Sequence, residues 1–171
     1  TSATPFTDSI MLILRDAKTW LPLYAFFLYW VIRYARSYAL VFILLTVASV
    51  GLADFSSASI LKPLFGRERP CYEPSLDGMV RVLAGCGGHF SFPSSHAANH
   101  FSVALFLIVV FKSKWKWILP VGILWAASIS FSQVYVGVHF PVDIFFGMLV
   151  GIFMGLLGSN VFLKYSKNQY V

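Results

Sequence analysis

The sequence predicts an all-α integral membrane fold. It is a helical bundle of five to six transmembrane helices with an interfacial helix at residues 1–18, in one membrane-embedded domain over residues 1–171. Three observations carry that reading. Hydrophobic residues make up 58% of the chain and charged ones 12%, whereas a soluble globule carries about 25% charged residues. The apolar residues fall into five runs, separated by turns that collect Lys, Arg and Trp. A single polar stretch, the extracytoplasmic loop at residues 62–95, interrupts them. The net charge of +6 is not gathered into one basic stripe, which argues against a nucleic-acid partner. The partner predicted is the bilayer.

Thr4 caps a helix that opens on Pro5, with Asp8 in its first turn. Up to Lys18 it mixes Phe6, Ile10, Leu12 and Leu14 with Asp8, Arg15 and Asp16. It is too short and too charged to cross, and suits the interface. The chain begins at Thr1 rather than Met, which reads as a processed or trimmed start without a secretory signal. Trp20–Tyr34 is the first span, with aromatic residues at both ends for a headgroup belt.

Ala39–Leu61 is the second span, about 34 Å at helical rise, and Lys62 and Pro63 end it. It contains Asp54, either an acid hydrogen-bonded to a neighbouring helix or a direct participant in function. The polar loop holds both cysteines, Cys71 and Cys86. In an oxidising compartment they pair, worth about 3 kcal/mol in the chain-entropy model; otherwise they are two free thiols. His96–Phe111 is the third span, Trp117–Ser132 the fourth and Pro141–Leu163 the fifth.

Five crossings place Arg33, Arg36, Lys112, Lys114, Lys116, Lys164 and Lys167 on one side, beside helix ends and without an acidic residue. The positive-inside rule makes that side cytoplasmic. Lys62, His96 and the pair His139 and Asp143 then meet at the opposite level. Asp143 lies in the first turn of a helix that Pro141 opens, where it reaches back to His139. Such a pair is either a satisfied structural histidine or an activated base or nucleophile.

Gly147, Gly151 and Gly155 recur every four residues, and Asp143 is one more step along the same face, so it points into the bundle. Repulsion among Lys62, Arg67 and Arg69 calls for a bound anion, and the helix start at Ser94–His96 turns N–H groups into the site as a phosphate cradle. His100 follows His96 at helical spacing but lacks a third ligand nearby, so packing is its expected role. His89 and Arg81 read as solvated loop residues.

These residues resemble a known family. Lys62 followed after six residues by Arg69-Pro70, then Pro93-Ser94-Ser95-His96, then Ser132, His139 and Asp143 resemble the three signature motifs of the type 2 phosphatidic acid phosphatases. The resemblance implies that His139 attacks phosphorus and forms a phosphohistidine, that Asp143 orients it, and that His96 protonates the leaving oxygen. It also implies that Lys62, Arg69, Gln133 and the N–H groups around Ser94 and Ser95 hold the phosphate, with no cofactor and no metal. Two positions depart from the family pattern: Gln133 stands where the family has Arg, and Ser95 where it has Gly. A neutral donor contributes about 0.5–1.5 kcal/mol against 1.5–3 for a charged one, and Arg67 is the residue expected to take up part of that role. The family commonly has six spans where five are counted here.

The function this implies is hydrolysis of a phosphomonoester or diphosphate on a membrane lipid at the periplasmic face of a bacterial cytoplasmic membrane. Undecaprenyl diphosphate is favoured over phosphatidylglycerol phosphate, phosphatidic acid and lipid A phosphate. The competing readings are a lipid phosphotransferase and a non-catalytic lipid-binding or transport protein.

Overall fold

The computed structural model describes residues 4–34 and 36–168. Thr1 and the side chains of Tyr34 and Lys167, all used above, lie outside what it describes. Six helices follow in order: α1 (Pro5–Arg15), α2 (Leu21–Tyr34), α3 (Arg36–Phe65), α4 (Ser95–Phe111), α5 (Ile118–Tyr135) and α6 (Pro141–Asn168). Short 3₁₀ turns lie at Ala17–Trp20, Pro70–Tyr72 and Pro74–Leu76. By length and composition α3, α5 and α6 suffice to cross a bilayer, and α4 is a shorter apolar helix of 17 residues.

α1 starts where expected. Thr4 Oγ1 accepts from the Thr7 N–H at 3.3 Å, and the Thr4 N–H donates to Thr7 Oγ1 at 3.0 Å, a reciprocal cap with Pro5 at the first helical position. The helix is also docked. Asp8 Oδ1 accepts from the Tyr135 hydroxyl at the end of α5 at 2.9 Å, and Arg81 of the long loop pairs with Asp8 through both guanidinium nitrogens. Arg81 is exposed on the loop, as expected, and is in addition a tether to α1. The Arg81 hydrogen bonds hold the Asp8 carboxyl below its usual pKa.

The second apolar span runs past its expected end. α3 passes through Lys62 and Pro63 to Phe65 and stops at Gly66, which adopts a left-handed conformation with φ 59°. The turn before the proline explains this. Residues Phe55–Leu61 form a π-helical segment, in which the Lys62 N–H donates to the Ser57 carbonyl, five residues back. The wider turn makes room for a proline ring that would clash with the carbonyl four residues earlier in an α-helix. Asp54, at the start of this segment, accepts from Asn99 Nδ2 of α4 at 2.9 Å. It is the acid bonded to a neighbouring helix, the first of the two roles its position allowed.

Two apolar clusters hold the bundle. Ala97, Phe101, Ala104 and Ile108 of α4 meet Ile118 and Ala126 of α5. Val31 of α2, Ala39 and Phe42 of α3, Phe106 of α4 and Phe162 of α6 form the second. Phe42 stands edge-on to both Phe106 and Phe162, at 5.3 and 5.5 Å between centroids. α6 lies against α4 along its glycine stripe. A Cβ at Gly147, Gly151 or Gly155 would run into the carbonyl oxygens of Ser94, Ala98 and Ser102 respectively. Close backbone approach of this kind is how helices pack without a hydrophobic driving force between them.

Cys71 and Cys86 are bonded, closing a loop of sequence separation 15 between Cα atoms 6.2 Å apart. Lys62, the start of α4, the end of α5 and the start of α6 all come to one end of the bundle, and the docked face of α1 joins them there.

The stripe is open to a direct test. Gly151→Ala is expected to destabilise the protein by about 1–3 kcal/mol, the usual range for overpacking. Gly51→Ala on α3, where a Cβ meets nothing within 4 Å, is expected to leave stability unchanged or raised through helix propensity. Thermal unfolding of the two variants in one detergent compares them.

Candidate functional site

Asp143 organises the site, and its own backbone explains why it is there. Pro141 opens α6, Phe140 precedes it, and Asp143 is the third helical residue. Its Oδ2 accepts the Phe140 N–H at 2.8 Å, satisfying a first-turn donor as the acidic half of a capping box does. The same oxygen accepts from His139 Nδ1 at 3.4 Å. Oδ1 accepts from Arg67 at 3.2 Å. Both Asp143 and His139 are buried, at 0% and 2% exposure.

A carboxylate can only accept, so the His139 proton sits on Nδ1 and the lone pair on Nε2. The turn that delivers His139 needs Gly137, whose φ is +79°, and a Cβ there would lie 2.8 Å from the Arg81 carbonyl oxygen. Burial pushes the His139 imidazole below its ordinary pKa, opposed by the hydrogen bond to Asp143. At neutral pH the ring is therefore neutral, with Nε2 available.

The start of α4 lies against α6. Ser94 is the N-cap, and its Oγ accepts from the Ala97 N–H at 3.4 Å. The Ser94 N–H donates to the Asp143 carbonyl at 2.9 Å. This corrects the expected phosphate cradle: the Ser94 N–H is committed to holding α4 on α6, and its hydroxyl oxygen to capping α4 itself. The N–H groups of Ser95 and His96 are the first-turn donors that the helix cannot satisfy internally. Ser95 Oγ also meets Ser57 Oγ of the π segment at 3.1 Å.

The cations divide their work. Lys62 Nζ donates to the Phe90 and Ser91 carbonyls at 3.1 and 3.0 Å, pinning the loop to α3. Arg67 lies over the Phe140 ring at 4.1 Å while it pairs with Asp143. It is thus the counter-ion of Asp143, not the substitute anion donor expected in place of Gln133. Arg69 has a buried Nε without a hydrogen-bond partner among the described residues, and burial lowers its pKa first of all.

Gln133 is fully buried, and neither its amide nitrogen nor its amide oxygen has a partner among the described residues. Buried polar atoms of this kind are rare in folded proteins and mark a place where a ligand or water belongs. His100 Nδ1 donates to the His96 carbonyl at 2.8 Å, and its ring stands edge-on to Trp125 at 5.2 Å, the packing role expected of it. His89 pairs with Glu68 at 3.1 Å on the loop surface.

One turn along α4 from His96 an apolar groove of about 750 Å³ begins. Asn99 and His100 line its start, and Leu23, Phe27, Phe42 and Leu107 are among its walls. Sequence reasoning did not find it, because it forms between α2, α3, α4 and α5 and no single helix encodes it.

The family model described as the PAP2 superfamily matches residues 38–167. A lipid A 4'-phosphatase from Bacteroides thetaiotaomicron is 37% identical over 157 residues, covering 90% of this chain and 69% of that protein. An undecaprenyl-diphosphatase from Sulfolobus acidocaldarius is 40% identical over 72 residues, 42% of this chain and 34% of that protein. The crystal structure of Aquifex aeolicus LpxE superposes with a TM-score of 0.68 at 26% identity, covering 92% of this chain and 87% of that one.

The His139–Asp143 contact makes a signed prediction. In the folded protein His139 is expected to titrate below the ordinary imidazole value of about 6.5. Asp143→Asn removes the group that opposes burial, so the midpoint moves lower still. Nitrogen NMR of the labelled ring reads both, and a wild-type midpoint at or above 6.5 contradicts the arrangement.

Proposed function

The chain belongs to the PAP2 superfamily of membrane proteins, and from that premise we propose that it hydrolyses the phosphate ester of a lipid A headgroup through a phosphohistidine on His139. The observation that carries the reading is the His139–Asp143 pair, buried together, with Lys62 and Arg69 within electrostatic reach of the imidazole. Its chemistry is that of a nucleophile with its proton drawn to the far nitrogen.

In the proposed reaction His139 Nε2 attacks phosphorus and the bond to the lipid oxygen breaks. With the phosphate anion bound beside it to favour the protonated ring, His96 gives its proton to that leaving oxygen. The Nδ1 proton stays on the imidazole, held by Asp143, which steadies the positive charge that develops. Water then attacks the phosphohistidine, His96 takes the water proton, and inorganic phosphate leaves. Phosphoryl transfer depends mostly on placement and electrostatics. Arg69, Gln133 and the N–H groups of Ser95 and His96 would receive the phosphoryl oxygens, while Lys62 and Ser94 hold the loop and the helix in register. No step calls for a metal or cofactor.

The 37% identity to a lipid A 4'-phosphatase over most of both chains favours a lipid A phosphate. The apolar groove beside α4 is suited to the acyl part of such a substrate. The shorter match to an undecaprenyl-diphosphatase supports a second reading, the undecaprenyl diphosphate favoured from the sequence. In either case the site would face the periplasm from the inner membrane, since the basic turns lie at the other end of the bundle.

Phosphate release from lipid A, undecaprenyl diphosphate, phosphatidylglycerol phosphate and phosphatidic acid separates these readings. Fastest turnover is expected on lipid A, with release lost in His139→Ala. A labelled acid-labile phosphoenzyme is expected in the wild type and not in that variant. Gln133→Arg adds a charged donor and is expected to raise phosphate affinity. If neither the wild type nor Gln133→Arg releases phosphate from any of the four lipids, the phosphatase reading fails.

A further inference from the structure

α1 presents its faces the opposite way from an interfacial helix with a solvated polar side. Phe6, Ile10, Leu12 and Ile13 are exposed. The partly covered positions are Thr7, Asp8, Met11, Leu14 and Arg15, which recur at helical spacing on one face. Thr7, Asp8 and Arg15 of this helix thus face protein. Thr7 and Asp8 have found their partners there, in Tyr135 and Arg81. Arg15, two turns further along the same face, makes no hydrogen bond and no ion pair among the described residues.

Contacts bring the end of α1 to the site. The Leu14 carbonyl accepts from Trp20 Nε1, the Trp20 ring stands edge-on to Trp125, and Trp125 packs on His100, whose Nδ1 donates to the His96 carbonyl. Arg15 has a cation, Arg69, within electrostatic reach. Burial lowers its own pKa, with only its neighbour Asp16 opposing. Asp143, the acid of the site, already serves Arg67 and His139. Arg69 Nε is buried without a partner among the described residues, and so are both amide atoms of Gln133. Two guanidinium groups within electrostatic reach of each other, neither in an ion pair among the described residues, favour an anion that joins them.

We propose that Arg15 is a substrate-binding residue, carried by α1 to the His96 and Arg69 side of the site, where it holds the phosphate ester on the side from which the leaving oxygen departs. The word substrate rests on the phosphatase reading above; the anion contact does not. The docking of Asp8 on Tyr135 and Arg81 then has a purpose beyond stability, since it sets the rotation of α1 that turns Arg15 inward. An interfacial helix becomes part of the binding site, and a lipid headgroup is gripped from the membrane surface as well as from the bundle.

Two measurements test this. With lipid A as substrate, Arg15→Ala is expected to raise KM about tenfold, a loss of about 1.4 kcal/mol, with a smaller effect on kcat, and Arg15→Lys to recover most of it. In a His139→Ala background, which cannot turn over, calorimetry with inorganic phosphate is expected to show affinity weakened about tenfold by adding Arg15→Ala. A KM and a phosphate affinity both within twofold of the parent overturn the proposal, as does failure of the His139→Ala protein to bind phosphate. If Arg15→Ala does not fold, Arg15→Gln takes its place with the same expected losses. Absence of phosphate release by the wild type would refute the enzymatic reading, and the phosphate-affinity arm would still decide the role of Arg15.

Discussion

A single buried carboxylate holds the functional end of this bundle together. The Asp143 oxygens take three donors: Arg67 on one, His139 and the Phe140 N–H on the other. Its backbone carbonyl takes a fourth, the Ser94 N–H. Those contacts join the loop after α3, the turn between α5 and α6, and the start of α4 to one residue. An ionised carboxylate at zero exposure is tolerable only with such compensation. Removing it would leave Arg67 without its counter-ion, release the imidazole and loosen two helix starts together.

The parts of this arrangement visible in the sequence are those that local geometry encodes. Pro141 at the start of α6, Asp143 in its first turn and His139 four residues before are neighbours whatever the tertiary fold. The glycines at 147, 151 and 155 share a face by helical repeat alone, and the face they make is the one α4 occupies. The cap of α1 at Thr4 and Pro5 is equally local.

What the sequence did not reveal is allocation among partners. Arg67 and Arg69 are equivalent by spacing, yet one pairs with Asp143 and the other has a buried Nε without a partner among the described residues. The Ser94 N–H belongs to a helix start, but α6 passes close enough to claim it. The continuation of α3 past Pro63 depends on a π turn whose hydrogen bond reaches five residues back, a register that apolar periodicity does not report. Arg15 looked like one more charge on an interfacial helix until Tyr135 and Arg81 fixed which side of α1 faces the bundle. Each of these is decided by contacts between segments far apart in the chain.

Gln133 brings these threads together. In most positions a fully buried amide with no partner would be a defect worth about 1–3 kcal/mol. Here it lies on the last turn of α5, six residues before His139. Its backbone carbonyl already accepts the Val138 N–H at 3.1 Å, which shapes the turn that delivers that histidine. The side chain is thus held in place by its own main chain while its amide waits for an acceptor. A cationic residue at this position would add to a cluster in which Asp143 already serves Arg67. A neutral donor adds no further repulsion to Arg69. On the function proposed above, the charge that holds the phosphate then comes from the loop and from α1, and a neutral amide at position 133 completes the set without adding to the charge that Asp143 has to balance.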